Sequence, residues 1–314
     1  MKRTIYLIIS ILFTLCVAMA FTPPNPGEIL RAIGNIKDLP IALQRALNPS
    51  NDFEIVSVPN SGDWLAEHFE PGQSFDNLIS IRPTKPDRYR NKIYLLPLGD
   101  FIDGQSPCLE KLKAYTTAYF MMDTNILPVL RINGSKLTSR RNPYTRNRQI
   151  LTHDVLILLK KRKPLDAFCV LAITMEDLYP DPSWNFVFGQ ASPQDGVGVF
   201  SFARYDPVFY GEKRRKNSQG VLLRRSCKVL AHETGHMFSL AHCIYFQCLM
   251  NGSNHLQESD ARPFSLCPVC LRKLQFGIGF DAVDRYQKLL DFYKRVGFEN
   301  EAGWVSKRLK WILN

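Results

Sequence analysis

The spacing of apolar residues predicts strands that alternate with helices along most of the chain. Short continuous apolar runs are typical of buried strands, whereas apolar residues three and four positions apart are typical of a helix packed on one face. The runs that predict strands are residues 93–98, 126–129, 168–174 and 197–203. The segments that predict helices are residues 27–47, 108–121, 152–162, 226–239, 282–295 and 304–313. The run at 168–174 follows a helix, which favours an interior parallel strand and therefore an α/β fold.

The first twenty residues have the layout of a secretory signal peptide. Lys2 and Arg3 precede an apolar run at residues 5–17, and the sequence Ala-Met-Ala ending at Ala20 offers a small-x-small cleavage site. We therefore predict a signal peptide over residues 1–20 and a secreted protein. The apolar run is short for a transmembrane helix, so an uncleaved signal anchor that holds the chain at a membrane is the alternative.

Composition indicates a globular protein with a basic surface. Of the 314 residues, 45% are hydrophobic, which suits one large or two modest domains. The formal net charge is +11, and basic clusters lie at residues 140–141, 146–148, 160–163, 213–216 and 224–225. No stacking aromatics interleave these clusters on a recognisable module, so we expect no nucleic-acid partner; contact with a polyanion or an anionic membrane is the alternative. We expect a monomer.

Candidate chemistry begins with the sequence HETGH, which starts at His232. In a helix, positions four apart lie on one face with about 5–6 Å between Cβ atoms, so His232 and His236 can bind one metal ion. Glu233 projects beside that face and can take a proton from a water that the metal activates. His242 stands at the third ligand position of the extended zinc-peptidase pattern, and Met250 follows at a distance suited to a Met-turn.

A second candidate metal site follows directly. Four of the eight cysteines form the pattern C-x4-C-x18-C-x2-C. They are Cys243, Cys248, Cys267 and Cys270. Thiolates in such pairs hold a closed tetrahedral zinc, which stabilises the fold and leaves no open position for water. The sequence therefore predicts two zinc ions per chain, one catalytic and one structural. Cys108, Cys169 and Cys227 are left after signal removal, an odd number that leaves at least one free thiol.

The run HETGHMFSLAHCIYFQCLMNGSNHLQESDARPFSLCPVCLRKLQ resembles the signature of the archaemetzincins, a metzincin family of zinc peptidases with a histidine catalytic site and an adjacent cysteine zinc site. The segments GDWLAEHFEPGQSF, IYLLPLGDF and DGVGVFSFARY are also similar to this family, so the resemblance covers roughly residues 60–295. It implies catalytic-zinc ligands at His232, His236 and His242, a general base at Glu233, and a Met-turn at Met250. It also implies a structural zinc on the four cysteines.

The fold that this resemblance implies is a metzincin-like mixed sheet with an active-site helix, followed by a small C-terminal subdomain stapled by zinc. We predict an N-terminal extension at residues 21–60 and a catalytic α/β subdomain at residues 61–242, which ends in the HExxH helix. The C-terminal subdomain, residues 243–314, then contains the Met-turn, the four-cysteine site and the terminal helices. In this architecture an edge strand receives an extended peptide.

We place that edge strand at residues 196–204. Its predicted substrate-binding residues are Gly196, Val197, Gly198 and Val199. A core strand without this role is the alternative.

The chain departs from the family at Ser239, where the family has glycine. That glycine lets the chain leave the helix in a left-handed conformation, so that the third histidine faces the metal. A serine held there would cost roughly 1–2 kcal/mol, which is small beside the free energy of zinc binding. We therefore keep His242 as a ligand and expect Ser239→Gly to stabilise the zinc-loaded protein by about 1 kcal/mol.

These features predict a zinc-dependent peptidase that hydrolyses peptide bonds, with peptides or proteins as substrates. Two alternatives stay open: a catalytically silent, secreted zinc-binding protein, and an extracellular scaffold held by the four-cysteine zinc. The presence of all three histidines together with Glu233 favours the enzyme.

Overall fold

The structure is a computed structural model that describes residues 21–133 and 136–314. The predicted signal peptide lies outside the described residues, so both its cleavage and the signal-anchor alternative stay predictions. Within the described residues, no helix has the length and apolar character needed to span a membrane.

Four helices open the described part of the chain, eight strands and two helices follow, and the remaining elements are helices. In chain order the elements are α1 (Pro26–Ile33), α2 (Ile41–Leu47), α3 (Trp64–Glu67), α4 (Phe75–Ser80), β1 (Lys92–Leu98), α5 (Leu109–Phe120), β2 (Thr124–Ile126), β3 (Ser139–Arg141), β4 (Arg148–Leu151), α6 (Thr152–Arg162), β5 (Ala167–Thr174), β6 (Asp177–Tyr179), β7 (Gly189–Ser192), β8 (Val197–Ser201), α7 (Ser218–Met237), α8 (Leu256–Ala261), α9 (Pro268–Ile278), α10 (Ala282–Val296) and α11 (Glu299–Leu313). Short 3₁₀ turns at Ala203–Tyr205 and Pro207–Tyr210 separate β8 from α7.

A five-stranded sheet lies at the centre, with strand order β2-β1-β5-β8-β7. The first four strands are parallel, and β7 is antiparallel to β8. Every residue of β5 is buried, because β5 has a hydrogen-bonded neighbour on each side and helices on both faces. This confirms the interior parallel strand predicted from the apolar run. Strands β3, β4 and β6 form a separate three-stranded sheet.

Alternate residues of the central strands divide the core into two layers. Leu171 and Ile173 belong to a cluster that includes buried residues of α5 and α7, whereas Val170 and Ala172 belong to a cluster with buried residues of α6. This is the two-residue period of a strand with both faces covered. The active-site helix α7 therefore packs on one face of the sheet, beside β7 and β8.

The N-terminal helices α1 and α2 pack against helices that come last in the chain. Helix α2 contacts α9, α10 and α11, and Ala46 and Leu47 in α2 are completely buried. The guanidinium of Arg308 in α11 donates hydrogen bonds to the carbonyl oxygens of Arg45, Ala46 and Asn48. Helices α1 and α2 thus share a core with the C-terminal helices. The predicted domain boundaries, near residues 60 and 242, stay predictions.

The prediction of the edge strand was wrong. Strand β8, which contains Val197, Gly198 and Val199, pairs with β5 on one side and with β7 on the other. Its residues are buried, and the carbonyl of Gly196 accepts a hydrogen bond from the backbone of Val170. Because these backbone groups are already paired, they cannot bind an added peptide strand. Within the described residues, the edge on this side of the sheet is β7.

Candidate metal centre

Helix α7 places His232, Glu233 and His236 together. It runs from Ser218 to Met237, so it begins before the predicted start near residue 226, and it packs against α5, β7 and β8. The four-residue spacing puts both imidazoles on one face, where their Nε2 atoms are 3.2 Å apart.

Ser239 turns the chain so that His242 approaches the same point. The helix ends at Met237 with Phe238 as its C-cap, and Ser239 has φ of +64°, which confirms the predicted left-handed conformation. Its hydroxyl accepts a hydrogen bond from the backbone N–H of Thr84 at 3.1 Å, and its carbonyl accepts one from the side chain of Gln73. A glycine could not accept the bond from Thr84. The serine therefore gains a contact that offsets part of its backbone strain.

Each histidine is held by a hydrogen bond at Nδ1, which leaves Nε2 free. His232 Nδ1 lies 2.9 Å from the carbonyl oxygen of Leu249, and His236 Nδ1 lies 2.6 Å from that of Leu240. His242 Nδ1 lies 2.7 Å from a carboxylate oxygen of Glu70. An oxygen partner at Nδ1 favours the tautomer in which Nε2 offers its lone pair to a metal.

The geometry of the three histidines fits zinc. One ligand nitrogen from each ring lies within 4.8 Å of the others. Two nitrogens bound to zinc at about 2.0–2.1 Å with a tetrahedral angle lie roughly 3.3–3.4 Å apart, close to the His232–His236 separation. Three neutral nitrogen donors leave a fourth position open, which is typical of catalytic zinc and not of structural zinc.

Burial sets the charge of the groups around this point. Burial, with the nearby Arg262 guanidinium, lowers the pKa of His232 well below its usual range, and burial beside His242 lowers the pKa of His236 to about 4. Both imidazoles are therefore neutral ligands at pH 7. Burial also raises the pKa of Glu233 to about 7, although His242 and Arg262 oppose this change. Glu233 can thus exist in both protonation states near neutral pH.

Met250 packs against helix α7, which contains two of the three histidines. Its side chain is completely buried, and a Cβ added to Gly235 in α7 would be only 2.7 Å from its sulfur. The next residue, Asn251, holds the turn: its side chain donates to the carbonyls of Cys243 and Phe246 and accepts from the backbone of Cys248. The predicted Met-turn residue is thus close to the active-site helix.

The four cysteines predicted to bind zinc are brought together, although they come from a loop and from the start of α9. Their sulfur atoms lie within 4.8 Å of one another and are buried, and Cys243 Sγ is 3.5 Å from Cys267 Sγ. Sulfurs bound to one tetrahedral zinc at about 2.3 Å are roughly 3.8 Å apart, so the cluster fits zinc. Backbone N–H groups of Met250 and Cys267 point at Cys248 Sγ, which stabilises a thiolate there.

Three contributors to the site were missed from the sequence. Glu70 binds His242, and Trp64 donates to Glu70 from its indole nitrogen at 2.8 Å and packs edge-on against the His242 ring. The hydrogen bond with His242 lowers the pKa of Glu70, which keeps it anionic. Arg262 lies 3.1 Å from His232 Nδ1 and donates to the carbonyl of Asn251 at 2.5 Å. For Trp64 and Glu70, the sequence contains one signal of a role at the site, which is the similarity of the segment that contains them to the archaemetzincins.

The sequence is similar to known peptidases. The family model of peptidase family M54 matches residues 127–276. Archaemetzincin-2 of Mus musculus is 42% identical over 293 residues, which cover 84% of this chain and 81% of that protein. Archaemetzincin-1 of Homo sapiens is 34% identical over 283 residues, which cover 81% of this chain and 57% of that protein. The chain belongs to the archaemetzincin family. Membership of this peptidase family makes it a zinc-dependent metallopeptidase.

Crystal structures of archaeal relatives are also similar to this archaemetzincin chain. A zinc-dependent peptidase from Methanocorpusculum labreanum is 25% identical with a TM-score of 0.47, and it matches 58% of this chain and 99% of its own. An archaemetzincin from Methanopyrus kandleri is 28% identical with a TM-score of 0.46, and it matches 61% of this chain and 97% of its own.

Proposed function

We propose that His232, His236 and His242 hold the catalytic zinc and that Glu233 is the general base in peptide-bond hydrolysis. The observation that carries the proposal is the convergence of three imidazoles beside a carboxylate whose pKa is raised to about 7 by burial. Bound zinc supplies Lewis-acid polarisation of the scissile carbonyl and activation of water.

The side chains around the zinc ligands perform the remaining steps. Glu233 accepts a proton from the attacking water and then donates it to the leaving amine, a role suited to a group that titrates near neutral pH. The carbonyl partners of His232 and His236, and the Glu70 partner of His242, keep the ligand rings oriented throughout.

The experiment that tests this function replaces Glu233 with Gln, which keeps the size of the side chain and leaves the histidines unchanged. Hydrolysis of a peptide library should fall by roughly two to four orders of magnitude, with zinc content unchanged. Glu67→Gln is the matched control, because Glu67 is an exposed glutamate in α3 and should keep parental activity. Equal rates for Glu233→Gln and the parent contradict the proposal. A zinc-loaded parent that cleaves no peptide favours the silent zinc-binding alternative.

We propose that an extended substrate pairs with the free edge of β7. Strand β7 packs beside α7, and within the described residues it pairs with β8 alone. The backbone N–H of Ser201 donates to the carbonyl of Phe188, so by alternation along an antiparallel pair Gly189 and Ala191 direct their backbone groups away from β8. These backbone groups can form hydrogen bonds with an extended peptide that adds to the sheet as one more strand.

Ala191→Pro tests this substrate edge. Proline removes the outward N–H at a position where a strand edge tolerates it, so the fold and the zinc content should be retained. The loss of one backbone hydrogen bond to substrate should lower kcat/KM by about tenfold. Ala191→Ser, which keeps the N–H, is the control. Unchanged kcat/KM in the proline variant would place the substrate elsewhere.

We propose that the four cysteines hold a second, structural zinc and that the chain is exported as a monomer. The buried sulfur cluster and the N–H groups directed at Cys248 support the second metal.

The proposal of export rests on residues 1–20, which resemble a signal peptide. Asn251 begins a possible glycosylation sequence, but its amide is buried and occupied by hydrogen bonds, so export is compatible with an unmodified Met-turn. N-terminal sequencing and the mass of the mature protein test cleavage and oligomeric state.

A further inference from the structure

A cavity of about 510 Å³ lies away from both metal clusters, between the last two helices and two loops. Its walls come from α10 and α11, from Asp52–Glu54, and from the segment at residues 261–265. None of the candidate zinc ligands lines it. Its volume is in the range of small-molecule sites.

The wall of this cavity contains a buried arginine with incomplete hydrogen bonding. Arg285 is only 2% exposed, and its Nε donates to the carbonyl of Tyr119 at 2.7 Å. Its Nη2 is buried and has no hydrogen-bond partner in the part of the chain that the structure describes. The guanidinium lies 4.4 Å from the ring centroid of Tyr119. An aromatic ring is therefore its neighbour on that side, in place of a carboxylate counter-ion. A buried charge without a counter-ion is costly, and an anion in the cavity beside Arg285, which lines it, would reduce that cost.

The acidic residues of the same wall do not supply this anion. Asp52 pairs with Lys307 at 2.8 Å and with Arg308 at 3.1 Å, and Glu301 pairs with Arg224. Glu54 is exposed to solvent. Among the described residues Arg285 therefore has no carboxylate partner, and a singly charged anion fits beside it better than a doubly charged phosphate, because the carboxylates of Asp52, Glu54 and Glu301 also line the cavity.

The remaining wall is apolar and aromatic. It includes Phe53, Phe264, Leu289, Trp304 and Val305, of which all but Trp304 are buried. A ligand that fills this space must bury an apolar body while it presents one negative group to Arg285. We propose that the cavity is a binding site for a small amphipathic carboxylate, held by an ion pair with Arg285.

The test measures binding of octanoate and phenylpropionate to the zinc-loaded full chain by calorimetry, with octanol and phenylpropanol as uncharged counterparts. The acids should bind about tenfold or more tightly than the alcohols, because each acid adds a charge-assisted hydrogen bond. Arg285→Gln should remove this preference. Lys288→Gln, which removes a half-exposed positive charge from the same helix, should keep it.

Two further measurements separate this cavity from the zinc and from folding defects. A carboxylate bound to the catalytic zinc would be lost after chelation of that zinc, whereas binding at Arg285 should persist. Asn300→Trp places a bulky side chain at an exposed position of the cavity wall and should block both acids even if Arg285→Gln does not fold. Failure of both acids to bind, equal binding of acids and alcohols, or acid binding that Asn300→Trp leaves intact would overturn the proposal.

Discussion

Ser239 makes two opposing contributions to the stability of the folded protein. Its left-handed backbone costs roughly 1–2 kcal/mol for a residue with a Cβ, whereas a hydrogen bond such as that from Thr84 N–H to its hydroxyl contributes about 0.5–1.5 kcal/mol. The two are close in size. The expectation that glycine would be better by about 1 kcal/mol therefore needs revision, because the sequence could not reveal the Thr84 contact.

Two substitutions at this position separate the contributions. Ser239→Gly relieves the strain but loses the Thr84 contact, so the free energy of unfolding should change by less than about 0.5 kcal/mol. Ser239→Ala keeps the strain and loses the contact, so it should destabilise the zinc-loaded protein by about 1 kcal/mol and weaken zinc retention. Chemical denaturation of both variants measures the difference. An alanine variant as stable as the parent would mean that the hydroxyl contributes nothing.

The sequence predicted the cluster of three histidines better than the residues that hold it together. His232 and His236 are four positions apart on one helix, so local spacing alone indicates their proximity. Glu70 contacts His242 across 172 positions of sequence, and no periodicity reports a contact of that range. The missed residues are therefore those whose role depends on the assembled fold.

At the scale of elements, α7 and the Met-turn touch through a glycine. Gly235 faces the sulfur of Met250, which has no exposed surface. Gly220, near the start of the same helix, would meet no atom within 4 Å if it carried a Cβ. The helix thus contains one glycine that packing requires and one that it does not.

Alanine substitutions at these glycines should have opposite effects. Gly220→Ala should stabilise the protein by about 0.5–1 kcal/mol, because alanine favours the helix. Gly235→Ala should overpack the contact with Met250, with a cost of about 1–3 kcal/mol that exceeds this gain, and should loosen the catalytic zinc. Thermal unfolding and zinc content of the pair measure this. A stabilised Gly235→Ala variant that retains zinc would show that Met250 can move aside.

Elements with strong local patterns were predicted well, and elements defined by their neighbours were not. The prediction for α6 matches its observed bounds, and β5 begins only one residue before its apolar run. The helix predicted over residues 27–47 is divided by Gly34, with φ of +76°, and by Pro40 before α2. Helix α11 runs through Gly303, since packing on α10 and α2 outweighs the modest cost of one glycine.

At the scale of the whole molecule, the two predicted zinc sites should respond differently to chelation. Two of the three residues of the histidine site, His236 and His242, are partly exposed, whereas all four cysteines of the other site are buried. Mild chelation should therefore remove one zinc and abolish hydrolysis without unfolding the protein.

Cys270→Ser provides the complementary change. It removes a ligand of the closed site and should lower the yield of folded protein, whereas Cys108→Ser, at an exposed free thiol, should not. Metal analysis and circular dichroism measure both responses. One zinc per intact chain that survives Cys270→Ser would exclude the structural zinc.

His242 and Cys243 are consecutive residues that belong to different clusters. A disulfide between Cys243 and Cys267, whose sulfurs are 3.5 Å apart, would remove two of the four candidate ligands of the cysteine cluster. Zinc on these sulfurs would therefore compete with oxidation while the chain folds. If the chain is exported to an oxidising compartment, the supply of zinc at that moment would decide between a zinc-bound chain and a cross-linked one.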